Sequence, residues 1–216
     1  MQNKVLIVGA SGLVGTAAAI SFARKGWQVI AASRRRPELL DHANIDFAVM
    51  DLQDRDACAS ACAKLRGITH VVYTAVYELP GLVDGWSDPV QINTNGQMLE
   101  NLLDAVTVCN RLQHVTLLQG TKAYGAMVGP MRIPARESQP RVEHPNFYWL
   151  QEDYLRDLCR DTDLQFTIWR PQVIFGHALH APMNMLAAVG VYAALQKSEG
   201  LPLTYTGGSS GVSEAI

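Results

Sequence analysis

The chain has 216 residues, enough for one sizeable domain or for one domain plus part of another, and its composition of 48% hydrophobic and 18% charged residues is typical of a globular protein. Its net charge of −2 gives no reason to expect nucleic acid or an anionic membrane as a partner. The N-terminal residues lead directly into an apolar run, which leaves no room for a signal peptide, and the late apolar run at 185–195 is too short to span a bilayer. We therefore expect a cytoplasmic protein without a membrane partner.

The cysteines and histidines do not form a recognisable metal-binding pattern. Cys58 and Cys62 are four residues apart, which could place two ligands on one helix face, but no second pair follows at the spacing of a zinc site. The six histidines are scattered along the chain. We expect no metal site, and we expect the cysteines to be reduced and buried as small hydrophobic residues.

A glycine-rich turn near the N-terminus predicts a dinucleotide site. Residues 5–8 are all apolar and predict a buried strand, and residues 16–25 predict a helix that ends at Gly26. Between them the glycines follow the spacing G-x-x-G-x-x-G, which lets the backbone approach a pyrophosphate at the helix N-terminus. An ordinary glycine turn is the alternative, but a position directly after a buried strand favours the nucleotide. The expected cofactor contacts are Gly9, Ser11, Gly12, Leu13, Val14 and Gly15.

The end of the second predicted strand, 27–32, favours NADPH over NADH. Units that prefer NAD carry an acidic residue there, which binds the ribose 2′-hydroxyl. This chain instead has Ser33, Arg34 and Arg35, and guanidinium groups suit a 2′-phosphate, although a solvated basic loop is the alternative. A third strand at 45–50 precedes Asp51 and Leu52, which we expect to contact the adenine. Asp51 could otherwise cap the helix that begins near residue 54.

The remaining pattern alternates strands with helices. We predict strands at 70–75, 115–119 and 166–171, helices at 88–110, 146–159 and 182–197, and a further strand at 201–205. The loops at 76–86 and at 126–145, the second with four prolines, are expected beside a substrate. The predicted fold class is α/β, a doubly wound parallel sheet of the NAD(P)-binding Rossmann type with helices on both faces. The cofactor should cross the end of the fourth strand, at Tyr73, Thr74 and Ala75.

Later motifs add a resemblance to a known family. The three glycines, the pattern Asn93-x-x-Gly96-x-Met98 and the segments 170–171 and 175–176 resemble extended short-chain dehydrogenases/reductases. Two boxes, Gly-Thr-Lys-Ala-Tyr at 120–124 and Asn-Phe-Tyr-Trp followed by Glu-Asp within 146–153, are similar to those of the progesterone 5β-reductase and iridoid synthase family. This resemblance covers essentially the whole chain.

The resemblance implies a catalytic pair. Short-chain dehydrogenases usually carry a lysine four residues after the catalytic tyrosine, but here Glu152 follows Tyr148 at that spacing and the chain has no Tyr-x-x-x-Lys. A lone phenol with a pKa of ~10 is a poor catalyst near neutral pH unless a cation lies beside it. In the resembling family a lysine at the end of the fifth strand takes this place, which implies that Lys122 acts with Tyr148. The alternative is a surface lysine and a core aromatic residue. Further expected cofactor contacts are Gln119, Lys122, Tyr148, Pro171 and Val173.

The chain also departs from the family pattern. Ala123, Trp149 and Met131 replace a family histidine, tyrosine and phenylalanine, all on the expected substrate side. Family members continue far beyond residue 216, so we expect a Rossmann domain at 1–176 and only the start of a truncated substrate-covering region at 177–216. The resemblance further implies a homodimer formed through the helices at 88–110 and 148–161.

The function expected from the resemblance is the NADPH-dependent 1,4-reduction of a small-molecule enone. Hydride would add to the β-carbon, and Tyr148 would hydrogen-bond the oxygen on which negative charge develops. Two alternatives stay open at this point. One is the 1,2-reduction of a ketone or aldehyde carbonyl, and the other is a non-catalytic NADPH-binding sensor.

Overall fold

The computed structural model describes residues 3–38, 40, 42–80, 84–179 and 184–205. Its centre is a six-stranded parallel sheet with the strand order β3-β2-β1-β4-β5-β6. All six strands therefore end at the same edge of the sheet, and the predicted doubly wound parallel fold is confirmed. The strands are β1 (Lys4–Val8), β2 (Gln28–Ser33), β3 (Ile45–Val49), β4 (His70–Tyr73), β5 (His114–Leu118) and β6 (Gln165–Trp169).

Helices cover both faces of this sheet. They are α1 (Leu13–Arg24), α2 (Arg55–Cys62), α3 (Pro89–Cys109), α4 (Phe147–Cys159) and α5 (Met185–Ser198), with short 3-10 turns at Asp84–Ser87 and Thr121–Tyr124. Because side chains alternate along a strand, Val5 and Ile7 of β1 pack on the face that α1 covers. Leu6 and Val8 pack on the opposite face, in the larger core shared with α3 and α4. The apolar run at 5–8 is thus buried on both sides, as its lack of alternation predicted.

Polar side chains fix where the helices begin. Asp54, Asp88 and Asn146 each precede a helix and accept a hydrogen bond from a backbone N–H of its first turn, at 2.7–3.0 Å. Pro89 follows Asp88 at the first position of α3, where its missing N–H leaves no intrahelical bond unmade. These caps set the entry point of α4, which carries the candidate catalytic tyrosine.

The strand predicted at 201–205 is wrong. These residues are exposed and adopt no regular structure, and β6, the last strand in the sheet order, pairs with β5 alone among the described residues. Helix α5 likewise buries none of its residues. A short apolar run forms a strand only when a neighbouring strand accepts its backbone hydrogen bonds, and no strand of the described part of the chain pairs with this one. The predicted domain boundary at residue 176 stays a prediction.

Candidate active site

The glycine turn is compressed against the end of β4. Gly9 has φ +83°, and a Cβ atom there would lie 2.7 Å from the backbone nitrogen of Ala75 and 2.8 Å from the carbonyl carbon of Thr74. A Cβ atom on Gly15 would collide with the carbonyl oxygen of Gly9. The Thr16 hydroxyl closes the turn by donating to the carbonyl of Ala10 at 2.8 Å. Two of the three glycines are therefore required by close backbone approach, which is the geometry of a phosphate cradle.

The N-terminus of α1 offers unpaired donors to an anion. Gly12 is the N-cap residue, so no side chain caps the helix, and the first turn carries no acidic residue. In the part of the chain that the structure describes, the N–H groups of Leu13, Val14 and Gly15 donate to no protein acceptor. Free N–H groups and the positive end of the helix dipole favour a bound phosphate. The residues present thus fit the pyrophosphate of a dinucleotide.

A groove of about 190 Å³ runs from this turn across the ends of β2, β3 and β4. Ligand pockets usually measure ~300–1,000 Å³, so the groove fits one part of a dinucleotide rather than the whole. Ten of the residues expected to bind cofactor line it: Gly9, Ser11, Gly12, Ser33, Arg34, Arg35, Asp51, Leu52, Thr74 and Ala75. The sequence analysis missed further lining residues, among them Met50, Val76, Tyr77 and Met98. Met98 lies in the Asn93-x-x-Gly96-x-Met98 pattern but was given no cofactor role, and the packing of α3 against the sheet brings it to the groove. Met50, Val76 and Tyr77 reach the groove because they follow the ends of β3 and β4.

The basic turn after β2 is open to the groove. Arg34 and Arg35 are exposed, while the buried Ser33 hydroxyl donates to the carbonyl of Arg35 at 2.6 Å. Asp51 does not cap α2, because Asp54 does so by accepting the N–H of Ala57 at 2.9 Å. The capping alternative for Asp51 is therefore wrong, and its carboxylate stays at the groove, where among the described residues it accepts only the N–H of Gln53.

Tyr73 lies in the core rather than in this groove. It is 1% exposed, its hydroxyl has no hydrogen-bond partner in the described part of the chain, and burial is the main cause that raises its pKa. Pro171 and Val173 are half-buried after β6, and the carbonyl oxygen of Pro171 would lie 3.5 Å from a Cβ atom on Gly120. Cofactor contacts by these residues, and by Leu13, Val14 and Gly15, stay predictions.

Lys122 and Tyr148 meet at the side chain of Trp86. The Lys122 ammonium lies 3.6 Å from the centre of the Trp86 ring, and the Tyr148 ring packs edge-on against the same indole at 5.7 Å between centres. The Tyr148 hydroxyl also faces Gly120, where a Cβ atom would lie 3.2 Å from it. Residues from three distant segments thus form one cluster at the carboxyl ends of β4 and β5.

The protonation of this cluster follows from its burial. Burial raises the pKa of Tyr148, and the carboxyl group of Glu78 raises it further, so the phenol keeps its proton at neutral pH. Burial lowers the pKa of Lys122, and Glu78 partly opposes this. Tyr148 is therefore a neutral hydrogen-bond donor beside a half-buried amine.

Asn146 joins the two candidate catalytic residues through their backbones. Its side-chain oxygen accepts the N–H of Tyr148 at 3.0 Å as the cap of α4, and its side-chain nitrogen donates to the carbonyl of Lys122 at 3.2 Å. Gln119 adds a second link, because its amide nitrogen donates to the carbonyl of Tyr148 at 3.0 Å. Both amides are buried, so the start of α4 is fixed relative to the turn after β5.

Glu152 occupies the position at which short-chain dehydrogenases usually carry the lysine, and it has a structural role. It is 4% exposed and accepts hydrogen bonds from Arg170 at 2.7 Å and from Arg156 at 2.8 and 2.9 Å, with Arg141 at 3.3 Å. Burial alone would raise its pKa, but the hydrogen bonding of Arg156 and the charges of the three arginines outweigh burial and hold the pKa below its ordinary value. Tyr148 therefore receives no cation from its own helix.

Two negative findings apply to the described residues alone. No three His, Cys, Asp or Glu side chains among them are grouped closely enough to hold a metal ion, and Cys58 and Cys62 are fully buried. None of the helices described here combines the length and the apolar character needed to cross a membrane.

Sequence comparisons relate the chain to known proteins. A model of the NAD dependent epimerase/dehydratase family matches residues 5–211. The chain is 33% identical to an (S)-8-oxocitronellyl enol synthase of Antirrhinum majus, over 95% of this chain and 54% of the relative. It is also 33% identical to a 3-oxo-Delta(4,5)-steroid 5-beta-reductase of Arabidopsis thaliana, over 95% of this chain and 55% of the relative. The family resemblance stated from the two boxes is confirmed, and the chain spans about half the length of these relatives.

Solved structures match the fold. The enzyme WbmH of Bordetella bronchiseptica, in complex with NAD+, gives a TM-score of 0.65 at 23% identity, covering 93% of this chain and 64% of that one. The UDP-glucose 4-epimerase of Thermus thermophilus, in complex with NAD, gives 0.67 at 21% identity with the same coverage. At this identity the likeness concerns the fold alone.

Proposed function

Because the chain belongs to the NAD dependent epimerase/dehydratase family, we propose that it binds NADPH and reduces the carbon–carbon double bond of a small α,β-unsaturated carbonyl compound. The observation that carries this proposal is the meeting of Lys122 and Tyr148 at Trp86. The relative named as a 3-oxo-Delta(4,5)-steroid 5-beta-reductase has in its name a double bond conjugated to a carbonyl group, which supports 1,4-reduction over 1,2-reduction.

The cofactor would be held along the groove described above. The unpaired N–H groups at the start of α1 suit the pyrophosphate, and Asp51 at the groove suits the adenine amine. Arg34 and Arg35 supply guanidinium groups to a 2′-phosphate, and no acidic residue stands at the end of β2, at 33–36, to select a free 2′-hydroxyl. A bound nicotinamide cofactor supplies the hydride.

Tyr148 and Lys122 act on the substrate oxygen. As hydride adds to the β-carbon, the electrons of the double bond shift toward the carbonyl and negative charge develops on its oxygen. The neutral Tyr148 hydroxyl donates a hydrogen bond to that oxygen, and the Lys122 ammonium adds positive charge nearby. Both interactions strengthen as the charge develops, so they stabilise the transition state more than the bound substrate.

The test combines NADPH oxidation with product identification. Purified protein is incubated with NADPH and a panel of conjugated enones and simple ketones, and the products are separated by chromatography with mass detection. The expected product is the saturated carbonyl compound. An allylic alcohol instead would support the carbonyl reductase, and cofactor binding without turnover on the whole panel would support the sensor.

Substitution of Tyr148 tests the assigned donor. Tyr148→Phe removes only the hydroxyl, and loss of one such donor lowers kcat by on the order of 10²–10³. Tyr154→Phe is the matched control, because this tyrosine lies on the same helix and its hydroxyl donates to Asp104, away from the cluster. An unimpaired Tyr148→Phe variant contradicts the proposal.

The cytoplasmic location and a homodimer through α3 and α4 stay predictions.

A further inference from the structure

Trp86 lies in the short 3-10 turn Asp84–Ser87 and is enclosed by the start of α4. The residue is 9% exposed. The Phe147 ring stacks on the indole with 4.9 Å between ring centres, and the Tyr148 ring packs against it at a steep angle of 69°. Offset stacking and edge contacts are the arrangements that aromatic pairs prefer. The first two residues of α4 therefore hold the indole from two directions.

The backbone of this turn is anchored on α3. The N–H of Asp88, the N-cap residue of α3, donates to the carbonyl of Gly85 at 3.1 Å. A Cβ atom on Gly85 would lie 2.6 Å from the side-chain oxygen of Gln91, so a side chain there would displace that amide. The oxygen is itself fixed, because it accepts the N–H of Leu79 at 2.7 Å and Gln91 is 1% exposed. Helices α3 and α4 together therefore set where the Trp86 ring lies.

The Lys122 ammonium rests on the face of this indole. Its Nζ atom lies 3.6 Å from the centre of the ring, well inside the ~6 Å range of a cation–π interaction. In the described part of the chain, Nζ donates no hydrogen bond and forms no ion pair within 4.0 Å. Lys122 is half-buried, and burial lowers its pKa and so favours the neutral amine. The negative face of the indole is thus the direct contact that favours the charged form, and the charge of Glu78 adds to it without an ion pair.

We propose that Trp86 is a positioning residue of this site, whose indole face seats the Lys122 ammonium so that its charge stays at the ring that also contacts Tyr148. The role of this seat in the reaction rests on the proposed function, whereas the seat itself does not. Lysine carries its charge on a flexible four-carbon stem, so an ammonium without a fixed partner samples many rotamers. A charge stabilises a transition state best when it is already in place. A lysine on the same helix as the tyrosine is placed by that helix, but Lys122 comes from a separate segment and needs another contact to place it.

The seat predicts an NMR signature that needs no substrate. Protons above an aromatic face are shielded, so the ε-methylene signals of Lys122 should lie upfield of those of the other four lysines. Biosynthetic labelling with ¹³Cε-lysine gives this small set of signals, and Lys122→Met assigns the relevant one. In Trp86→Leu the upfield shift should be lost, and the titration midpoint of Lys122 should fall by about one pH unit, the equivalent of one desolvated cation–π contact. Trp27→Leu is the matched control, because its indole packs on Phe22 on the α1 face of the sheet and its loss should leave both readouts unchanged.

Fluorinated tryptophan separates the cation–π contact from packing. Fluorine withdraws electron density from the ring face and weakens its attraction for a cation, while the shape of the indole is nearly kept. The chain has four tryptophans, which growth in a tryptophan-auxotrophic host replaces together. Fluorination should therefore lower the Lys122 midpoint in wild type and leave it unchanged in Trp86→Phe, where the other three tryptophans are still fluorinated. Equal shifts in both proteins, or no shift in either, overturn the inference.

Activity gives the remaining readout. On an enone that the protein reduces, Trp86→Leu should lower kcat about tenfold, and Trp86→Phe, which keeps an aromatic face, should recover part of the loss. A kcat that stays at the wild-type value in Trp86→Leu while the Lys122 midpoint falls overturns the positioning role, and unshielded Lys122 signals in wild type overturn the seat. Shielded signals that move as expected in a protein that reduces no enone support the seat and contradict the proposed function. If Trp86→Leu does not fold, the comparison of fluorinated wild type with fluorinated Trp86→Phe carries the test.

Discussion

The two halves of the candidate site are built in different ways. The phosphate-binding part of the cofactor half is formed within one continuous stretch, where Gly9, Gly12 and Gly15 shape the turn and α1 begins directly after it. The substrate half assembles Lys122, Tyr148 and Trp86 from separate segments. Backbone proximity defines the first half, and buried side-chain hydrogen bonds from residues such as Asn146 and Gln119 define the second. Damage to each half should therefore have a different signature.

The largest effect on the free energy of unfolding is expected from the ion pairs that Glu152 makes with arginine side chains on the helix that carries Tyr148 and after β6. Glu152→Gln leaves Arg170, whose side chain is only 15% exposed, without its carboxylate partner. Breaking a buried pair in this way costs about 3–5 kcal/mol. Urea unfolding at pH 7 measures it. Asp153→Asn is the control, since its carboxylate is 58% exposed and its loss should cost less than ~1 kcal/mol.

The pH dependence of that difference follows from the lowered pKa of Glu152. A carboxyl group with a lowered pKa in the folded state stabilises the protein above its ordinary pKa, and the contribution is lost as the pH falls through the folded-state pKa. The gap in unfolding free energy between wild type and Glu152→Gln should therefore be full at neutral pH and shrink in acid below about pH 4. A gap that stays constant into strong acid would show that charge is not its cause.

The cofactor half should fail by losing its ligand. Gly15→Ala places a Cβ atom against the carbonyl of Gly9, and the turn must open to relieve the collision. Backbone strain of about 1–3 kcal/mol converts to a loss of NADPH affinity of up to on the order of 100-fold. Fluorescence titration with NADPH measures this. Gly129→Ala is the matched control, because a Cβ atom there meets nothing within 4 Å.

The basic turn after β2 tests whether the cofactor half selects NADPH over NADH. Replacing Arg34 and Arg35 together with alanine should weaken NADPH binding about tenfold, which is about 1.4 kcal/mol, and leave NADH binding unchanged. Arg36→Ala serves as the control, since Arg36 does not line the groove. Equal losses for both cofactors would identify the turn as a general electrostatic surface instead of a 2′-phosphate site.

The smallest effect on the free energy of unfolding is expected from Asn146, which joins the backbones of Lys122 and Tyr148. Asn146→Ala removes the cap of α4 and the link to Lys122, which should cost about 1 kcal/mol of stability. It should also lower kcat about tenfold through misplacement of Tyr148, with NADPH affinity unchanged. Asp54→Ala removes a comparable cap from α2, so it should cost similar stability and leave kcat as in wild type. Equal kcat values in both variants would contradict the joining role.

The sequence by itself determined the architecture and the position of the glycine turn. The apolar run at 5–8, the glycine spacing and the alternation of strands with helices all express interactions between residues close in the chain, so their pattern is visible without coordinates. The same local interpretation was wrong for 201–205, because whether a strand forms depends on a partner strand that no local pattern supplies.

Only the tertiary structure decided how the substrate half is arranged. The side chain of Tyr73 packs in the larger core, and its expected contact with the cofactor stays a prediction. The sequence marked the loop with Glu78 and Trp86 as substrate-side but gave neither residue a role. Trp86 meets Lys122 and Tyr148 through long-range packing, and amides of α3 hold the backbone of the same loop at Tyr77 and Leu79. Contacts between distant segments are set by the summed packing of the whole core, and for that reason no short motif encodes them.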